Sequence, residues 1–337
     1  MKHISNTLKY LLFLSIGVAL LYFAFKDMPL EKLWTGLKSA NYFWVALTVL
    51  IGIVAYISRA YRWNLLIESL GYKPKLLHTT SAVLVGYLAN IAFPRLGEVS
   101  RCAMLTKSDK VPFDSLVGTV IIERAFDMLT LIVIILAVTV AKVSLFGDFF
   151  SKHLIAPMQK RIGENVSIPT EYYLYFGLAI IATGVLLFLF RKKLKQTTLA
   201  IKLKKVALGV LAGLKTGYQM KRRTAFFVST VVLWTCYWLM SWLIVFAIPM
   251  TAEIGPLDGM FLLAAGSIGM AVPVQGGIGS FHLILALALG LYGISWDDGL
   301  VVATLSHESQ MLFAIILGII GFYIILLSSR KLKITKE

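Results

Sequence analysis

Six stretches of this chain (residues 8–25, 41–63, 113–141, 171–190, 224–248 and 299–327) are mostly apolar for roughly 18 residues or more. Runs of that length read as transmembrane helices. The overall composition agrees. Of 337 residues, 58% are hydrophobic and 15% charged, with a mean hydropathy of +0.80, too little charge for a soluble chain of this size. No polar segment of domain size remains once the runs are set aside, so a single membrane domain over residues 1–337 is expected. The net charge of +16 sits in short segments between the apolar runs. That is the pattern of the positive-inside rule, not of a nucleic-acid-binding surface, and no nucleic-acid module is visible. Anionic lipid head groups are the natural partners of such segments. Cys102 and Cys236 have no metal or redox spacing. Lys2, His3 and Lys9 precede or open the first run, but no small-x-small cleavage signal follows it, so an uncleaved first helix is expected.

Two further apolar runs are interrupted. Residues 76–93 lead into Pro94-Arg95-Leu96-Gly97-Glu98. Residues 257–272 lead into Pro273-Val274-Gln275-Gly276-Gly277-Ile278-Gly279-Ser280 and then a second apolar run, 281–292. Charge sets the orientation. Residues 191–223 hold eleven Lys/Arg and no acid, which makes them cytoplasmic. Their interspersed leucines suggest an amphipathic surface helix. Between Thr224 and Ser329 there is no Lys or Arg, and the polar breaks at 249–256 and 294–298 carry only acids, so both are external. The segment 257–292 then starts and ends outside, as a re-entrant hairpin turning at 273–280. Arg59, Arg62, Lys73 and Lys75 put the end of the second span inside, and Arg95, Arg101, Lys107 and Lys110 put the following loop inside too, so residues 76–106 form a hairpin entering from the cytoplasm and turning near Pro94–Glu98. The predicted fold is an all-α polytopic membrane protein: about six full spans plus two re-entrant broken hairpins in an inverted repeat, or eight spans if the hairpins are counted. The halves are residues 1–190 and 224–337, joined by the basic linker 191–223. Paired interrupted segments are the best sequence pointer to a transporter's binding site.

Irregular backbone at membrane depth must line protein or a water-filled cavity. Gly97 beside Pro94, and Pro273, Gly276, Gly277 and Gly279 at the second break, therefore imply either an internal ligand cavity or a tight crossing of helices, to which Gly86, Gly266 and Gly269 also fit. A half-helix starting at Ser280, with that residue as N-cap, would aim its positive end at the cavity, an arrangement suited to phosphate or carboxylate. Three polar groups accompany the breaks. Arg95, Glu98 and Arg101 offer two guanidiniums to a phosphate, with Glu98 orienting one, or else snorkel to the surface. Glu123 and Asp127 share a helix face at i, i+4, while Arg124 pairs with Asp127 at i, i+3; ionisable residues at that depth face a polar interior or form a structural ion pair. His307 and Glu308, in a run of six polar residues out of seven from Thr304, sit with His282 at the second break. That set suits a proton relay, head-group contact, plain structural bonding or a metal; no metal and no cofactor is expected. No nucleophile elbow, HExxH, P-loop or dinucleotide motif is present.

The strings Arg95-Leu96-Gly97-Glu98-Val99-Ser100-Arg101, Glu123-Arg124-Ala125-Phe126-Asp127 and Pro273-Val274-Gln275-Gly276-Gly277-Ile278-Gly279 together resemble the flippase-like membrane domain of the lysylphosphatidylglycerol synthase family. This is the membrane half of the bacterial multiple peptide resistance factor, which also occurs as a stand-alone protein. The resemblance covers essentially the whole chain and implies lipid translocation across the bacterial inner membrane. It does not imply synthesis: no aminoacyl-transferase domain is expected, because only ten residues follow Leu327. The family commonly has Glu where this chain has Ser280-Phe281-His282, and Arg near the place of His307, so a cationic lysyl-lipid is not carried over as cargo.

The expected function is a multi-pass inner-membrane lipid transporter, with both termini cytoplasmic and no catalytic residues. Arg95, Arg101 and Arg124 would contact a phosphate-bearing head group, held by Glu98, Glu123 and Asp127, with His282, His307 and Glu308 as the outer counterpart. The alternatives are an intramembrane lipid-modifying enzyme, using Glu123/Asp127 or His307/Glu308 as acid and base, or a scaffold for a separate lipid-synthesising enzyme. A homo-oligomer is also open.

Overall fold

This computed structural model describes residues 2–94, 96–142 and 220–334. Among them are ten α-helices, a few short 3-10 turns and no strand. Five helices fall on expected spans: α1 (Lys2–Phe25), α3 (Tyr42–Glu68), α6 (Phe113–Ala141), α7 (Arg223–Leu243) and α10 (Trp296–Ile334), with α2 lying between α1 and α3. The span expected at 171–190 and nearly all of the basic linker lie outside the described residues. Three described helices are long and apolar enough to cross a membrane: Tyr42–Glu68, Arg223–Ala247 (α7 with its 3-10 extension) and Trp296–Ser329 within α10.

The arrangement of side chains is inside out for a protein in water. Arg59, Arg62, Arg101 and Glu123 are buried. Val133, Leu136 and Val140 on α6, Val228 and Val231 on α7, and Ile316, Ile319 and Ile320 on α10 are exposed. Apolar surroundings explain both halves of that pattern, because they cost nothing against aliphatic side chains and force charged groups to find partners inside. The chain is a helical membrane protein.

Helix α2 (Leu30–Ser39) was not expected. It is too short and too polar to register as an apolar run. Its local signals are Pro29 ahead of it, and Glu31 in the first turn and Lys38 in the last, both favourably placed against the helix dipole. Leu33 and Leu37 pack on the core, and Gly36 lies against Val301 of α10.

Both broken runs form as helix pairs. Helix α4 (Leu76–Ala92) ends at Phe93, whose backbone is extended (φ −141°, ψ 123°). Pro94 disfavours the helical conformation in the residue before it and has no N–H to continue the ladder. Helix α5 (Leu96–Asp109) folds back against α4 so closely that a Cβ on Gly97 would stand 2.2 Å from the Gly86 carbonyl oxygen. The free N–H of Gly97 in the first turn of α5 donates to Asn90 Oδ1 at 2.7 Å, so α4 caps its own partner. Arg95 lies outside the described residues.

In the second pair, α8 (Pro256–Ala271) is followed by a 3-10 turn, Gln275–Gly277, and by α9 (Ser280–Gly290). Gly276, Gly277 and Gly279 have φ of 57°, 79° and 79°, values that L side chains adopt only with strain. The expected N-cap is corrected here. Gly279 is the cap residue, and Ser280 is already helical. The Ser280 hydroxyl donates to the carbonyls of Gly269 and Gly277, tying α9 to α8 instead of satisfying its own helix N–H groups. Gly279 lies against the backbone of α1, where a Cβ would come within 2.5 Å of Leu21 N and 2.7 Å of Gly17 O.

Polar contacts collect the helix ends at two places. At one, Arg222 before α7 pairs with Glu68 at the end of α3 (3.1 Å); His78 near the start of α4 meets Asp109 at the end of α5 (2.9 Å) and Ser328 near the end of α10 (3.0 Å). At the other, Asn41 before α3 bonds Ala247 after α7 (2.8 Å), Lys142 after α6 pairs with Asp258 at the start of α8 (2.5 Å), and Lys32 of α2 pairs with Asp297 at the start of α10 (3.0 Å). The start of α4 and the end of α5 are thus held together. The start of α8 lies near the end of α9, where Phe261 and Tyr292 rings meet at 6.0 Å. The two breaks are neighbours: a Cβ on Gly276 would stand 3.8 Å from the Cα of Ile91, in the last turn of α4.

Candidate functional site

Two polar clusters lie beside these breaks. The larger gathers side chains from α3, α5, α6 and α7. Glu123 and Asp127 project from one face of α6, as their spacing predicts. Arg59 donates to Glu123 Oε1 (2.8 Å), to Asp127 Oδ2 (3.2 Å) and to the Tyr237 hydroxyl (3.2 Å from Nε). Arg62 donates to Asp127 Oδ1 (2.6 Å) and, more weakly, to Glu123 Oε1 (3.3 Å). Its other end reaches Thr230 at 3.5 Å. Arg101 of α5 stands with Nη1 3.0 Å from Glu123 Oε2 and its guanidinium 4.5 Å from the Trp63 ring centroid. Trp63 is itself fixed by a 2.8 Å hydrogen bond from its indole N–H to Thr119.

Arg59 and Arg62 were read from the sequence only as markers of the cytoplasmic end of a span. The structure buries both and makes them the main partners of Glu123 and Asp127, the role expected of Arg95, Arg101 and Arg124. A signal was present: Arg59 and Arg62 are three apart on one helix face, matching the four-residue spacing of the acids. Tyr237 carries no comparable sequence signal. Arg124 is nearly half exposed and bridges Glu98 (3.4 Å) and Asp127 (3.7 Å); the second pairing was expected, whereas Glu98 was expected to orient Arg95 or Arg101.

The charges do not balance. Among the described residues, four guanidiniums (Arg59, Arg62, Arg101 and Arg124) face three carboxylates (Glu98, Glu123 and Asp127), leaving one positive charge over. Arg101 is the arginine least well bonded: its side chain is 3% exposed and pairs with Glu123 Oε2 at 3.0 Å, but Nε, Nη1 and Nη2, like that Glu123 oxygen and Glu98 Oε2, are buried without an aligned hydrogen bond. A buried, unsatisfied polar group costs about 1–3 kcal/mol, and more when charged. Arg101, Arg59, Glu98 and Arg124 line a small pocket of about 20 Å³, together with Asn90 and Gly97 at the first break. An anion there would supply the missing acceptors.

The smaller cluster lies at the second break. His307 of α10 contacts the Gly276 carbonyl through Nε2 (2.7 Å) and Glu308 Oε1 through Nδ1 (3.0 Å). His282 of α9 is buried with Nε2 3.6 Å from the same Glu308 oxygen. The two imidazoles meet edge to face at 5.0 Å. Three potential ligand atoms therefore lie within 4.8 Å of one another. The 2.7 Å and 3.0 Å contacts are hydrogen-bond distances, so both ring nitrogens of His307 are already engaged. Gly277 lies against Met270, Gly279 against α1, and both Gly266 and Gly269 against Phe281. These glycines serve close packing, as does Gly97 against Gly86, although Gly97 also lines the cavity. Pro273 ends α8 and has no polar contact of its own to offer.

Buried charge inside and apolar side chains outside, around two broken helix pairs, define a helical membrane protein. Residues 10–318 match the family described as the lysylphosphatidylglycerol synthase TM region, and the chain belongs to that family. A segment of 88 residues is 30% identical to a glycosyltransferase, AglD, of Haloferax volcanii, covering 26% of this chain and 14% of that protein. The chain thus matches only a small part of that relative's length. No solved structure matches.

Proposed function

We propose that this protein carries a lipid with an anionic, phosphate-bearing head group between the leaflets of the bacterial inner membrane. The observation that carries the reading is Arg101: a buried guanidinium with no hydrogen bond, facing a pocket whose lining holds three arginines and one carboxylate. A phosphate oxygen accepts from a guanidinium in the plane of its N–H groups, which Glu123 Oε2, close to Arg101 Nη1 but out of line with it, does not do. Arg124, exposed at the mouth, would meet the head group first and Arg101 last, with Glu98, Glu123 and Asp127 holding the arginines in place.

The topology proposed with it has α4–α5 entering from the cytoplasm and α8–α9 from outside, each as a re-entrant pair, with both termini cytoplasmic. Its support is that each pair begins and ends at one set of tied helix ends, on opposite faces, with the two breaks side by side between them. The protein would not be an enzyme. In vesicles with a fluorescent phosphatidylglycerol, wild type is expected to move the label between leaflets, and Arg101→Ala/Arg124→Ala to lose that movement. Normal movement by the double variant sinks the site assignment. New lipid products, seen by mass spectrometry, would favour an intramembrane enzyme instead.

A further inference from the structure

His307 is held between two acceptors. A backbone carbonyl can only accept, so Nε2 must carry a proton to bond Gly276 at 2.7 Å. An ionised carboxylate can only accept, so Nδ1 must carry one to bond Glu308 at 3.0 Å. A neutral imidazole has a single N–H. The geometry therefore requires one proton more than neutral histidine plus carboxylate: either His307 is an imidazolium, or Glu308 is a carboxylic acid donating to Nδ1. Nothing else nearby supplies that hydrogen. The turn faces His307 with Gly276 and Gly277, and α9 faces it with Phe281 and His282. Among the described residues, the titratable groups gathered there are Glu308 on its own helix and His282, whose Nε2 is 3.6 Å from Glu308, too long for a hydrogen bond.

We propose that His307 and Glu308 together form a binding site for one proton, and that this proton is the coupling ion for the lipid movement proposed above, on which the coupling role rests. The step is a simple protonation, with the proton drawn from and returned to water; Glu308, 42% exposed, is the group through which it exchanges. When the proton leaves, one ring N–H must serve two acceptors. A lone pair then faces either Gly276 O or Glu308 Oε1 at a distance that only a hydrogen bond tolerates, and one contact has to part. Gly276 is the residue that faces Ile91 in the last turn of α4, beside the first break. The site thus ties protonation on α10 to the joint where the two hairpins meet.

The substitution Glu308→Gln isolates the claim. A glutamine amide can donate to Nδ1 while Nε2–H stays on Gly276, which reproduces the protonated geometry without the proton. The experiment pairs nitrogen-15 spectra of the histidine-labelled full chain, over a pH series, with movement of fluorescent phosphatidylglycerol in vesicles under an imposed pH gradient. The expected spectrum contains an Nε2-protonated imidazole whose titration is shared with a carboxyl group. That signal is lost in His307→Gln. In Glu308→Gln the Nε2 proton persists, the titration step disappears, and lipid movement no longer responds to the gradient. A wild-type His307 protonated only on Nδ1, or a titration unchanged by Glu308→Gln, overturns the proton site whatever the lipid does. An intact titration with movement indifferent to the gradient overturns the coupling role. An intact titration with no lipid movement at all overturns the transport reading, and the coupling with it, while the proton site stands.

Discussion

Replacing Glu123 by Gln keeps the shape of the side chain and removes its charge. In the folded protein Glu123 is wholly buried and lies within 2.8, 3.3 and 3.0 Å of Arg59, Arg62 and Arg101. At an effective dielectric of 20 each such contact is worth about 5 kcal/mol of gross attraction, most of it offsetting the desolvation of the arginines. Among these three arginines, Glu123 and Asp127, the substitution raises the surplus from one positive charge to two. Breaking a buried ion pair from one side typically costs about 3–5 kcal/mol, a large part of a total stability of about 5–15 kcal/mol. The expected outcome is a variant far less stable in detergent, read by thermal or denaturant unfolding. Adding Arg101→Met should restore a substantial part of the loss, because the second substitution removes the charge left unpaired; a coupling of about 0.5–3 kcal/mol is the expected range for contacting residues. Inorganic phosphate should stabilise Glu123→Gln more than it stabilises wild type, since the added anion replaces the lost carboxylate. A Glu123→Gln protein within about 1 kcal/mol of wild type, with no coupling to Arg101, would refute the picture of a cluster held by buried charge.

Other perturbations separate the parts. Arg124→Gln, at a half-exposed position, should leave stability within about 0.5 kcal/mol and weaken binding of inorganic phosphate, measured by titration calorimetry, with the difference shrinking in high salt. Asn90→Ala removes the acceptor for the Gly97 N–H and should lower stability by about 1 kcal/mol in an unfolding titration. Gly279→Ala adds a side chain at positive φ and against the backbone of Gly17 and Leu21; α1 should detach from the second break, seen as faster proteolysis between α1 and α2.

The helices were legible because each rests on local properties. Residues 113–141 form one helix with the expected ends, since an apolar run admits no other way to satisfy its backbone in lipid. The breaks were legible because Pro94 and Pro273 cannot continue a helix and the glycines after Val274 take backbone angles that other residues avoid. Helix α2 was missed because hydropathy sees only length times apolarity, and its apolar side chains occupy a single face. The proton count at His307 was equally out of reach, because it depends on a carbonyl, Gly276 O, that no side-chain reading brings near residue 307.

The sequence by itself determined that Glu123 and Asp127 share a face and must be satisfied inside a membrane protein. Only the tertiary structure decided by what. Charge in the sequence of a membrane protein has two uses, holding an end at the surface and balancing a buried partner, and the same arginine can serve either. Arg59 and Arg62 looked like the first kind and are the second, because α3 packs against α7 and reaches the acid face of α6. Arg101, expected to be held by an acid, lies 3.0 Å from the Glu123 oxygen that Arg59 and Arg62 leave free, without an aligned hydrogen bond to it. That geometry is a property of distances among four helices, and it is what leaves one guanidinium facing the cavity.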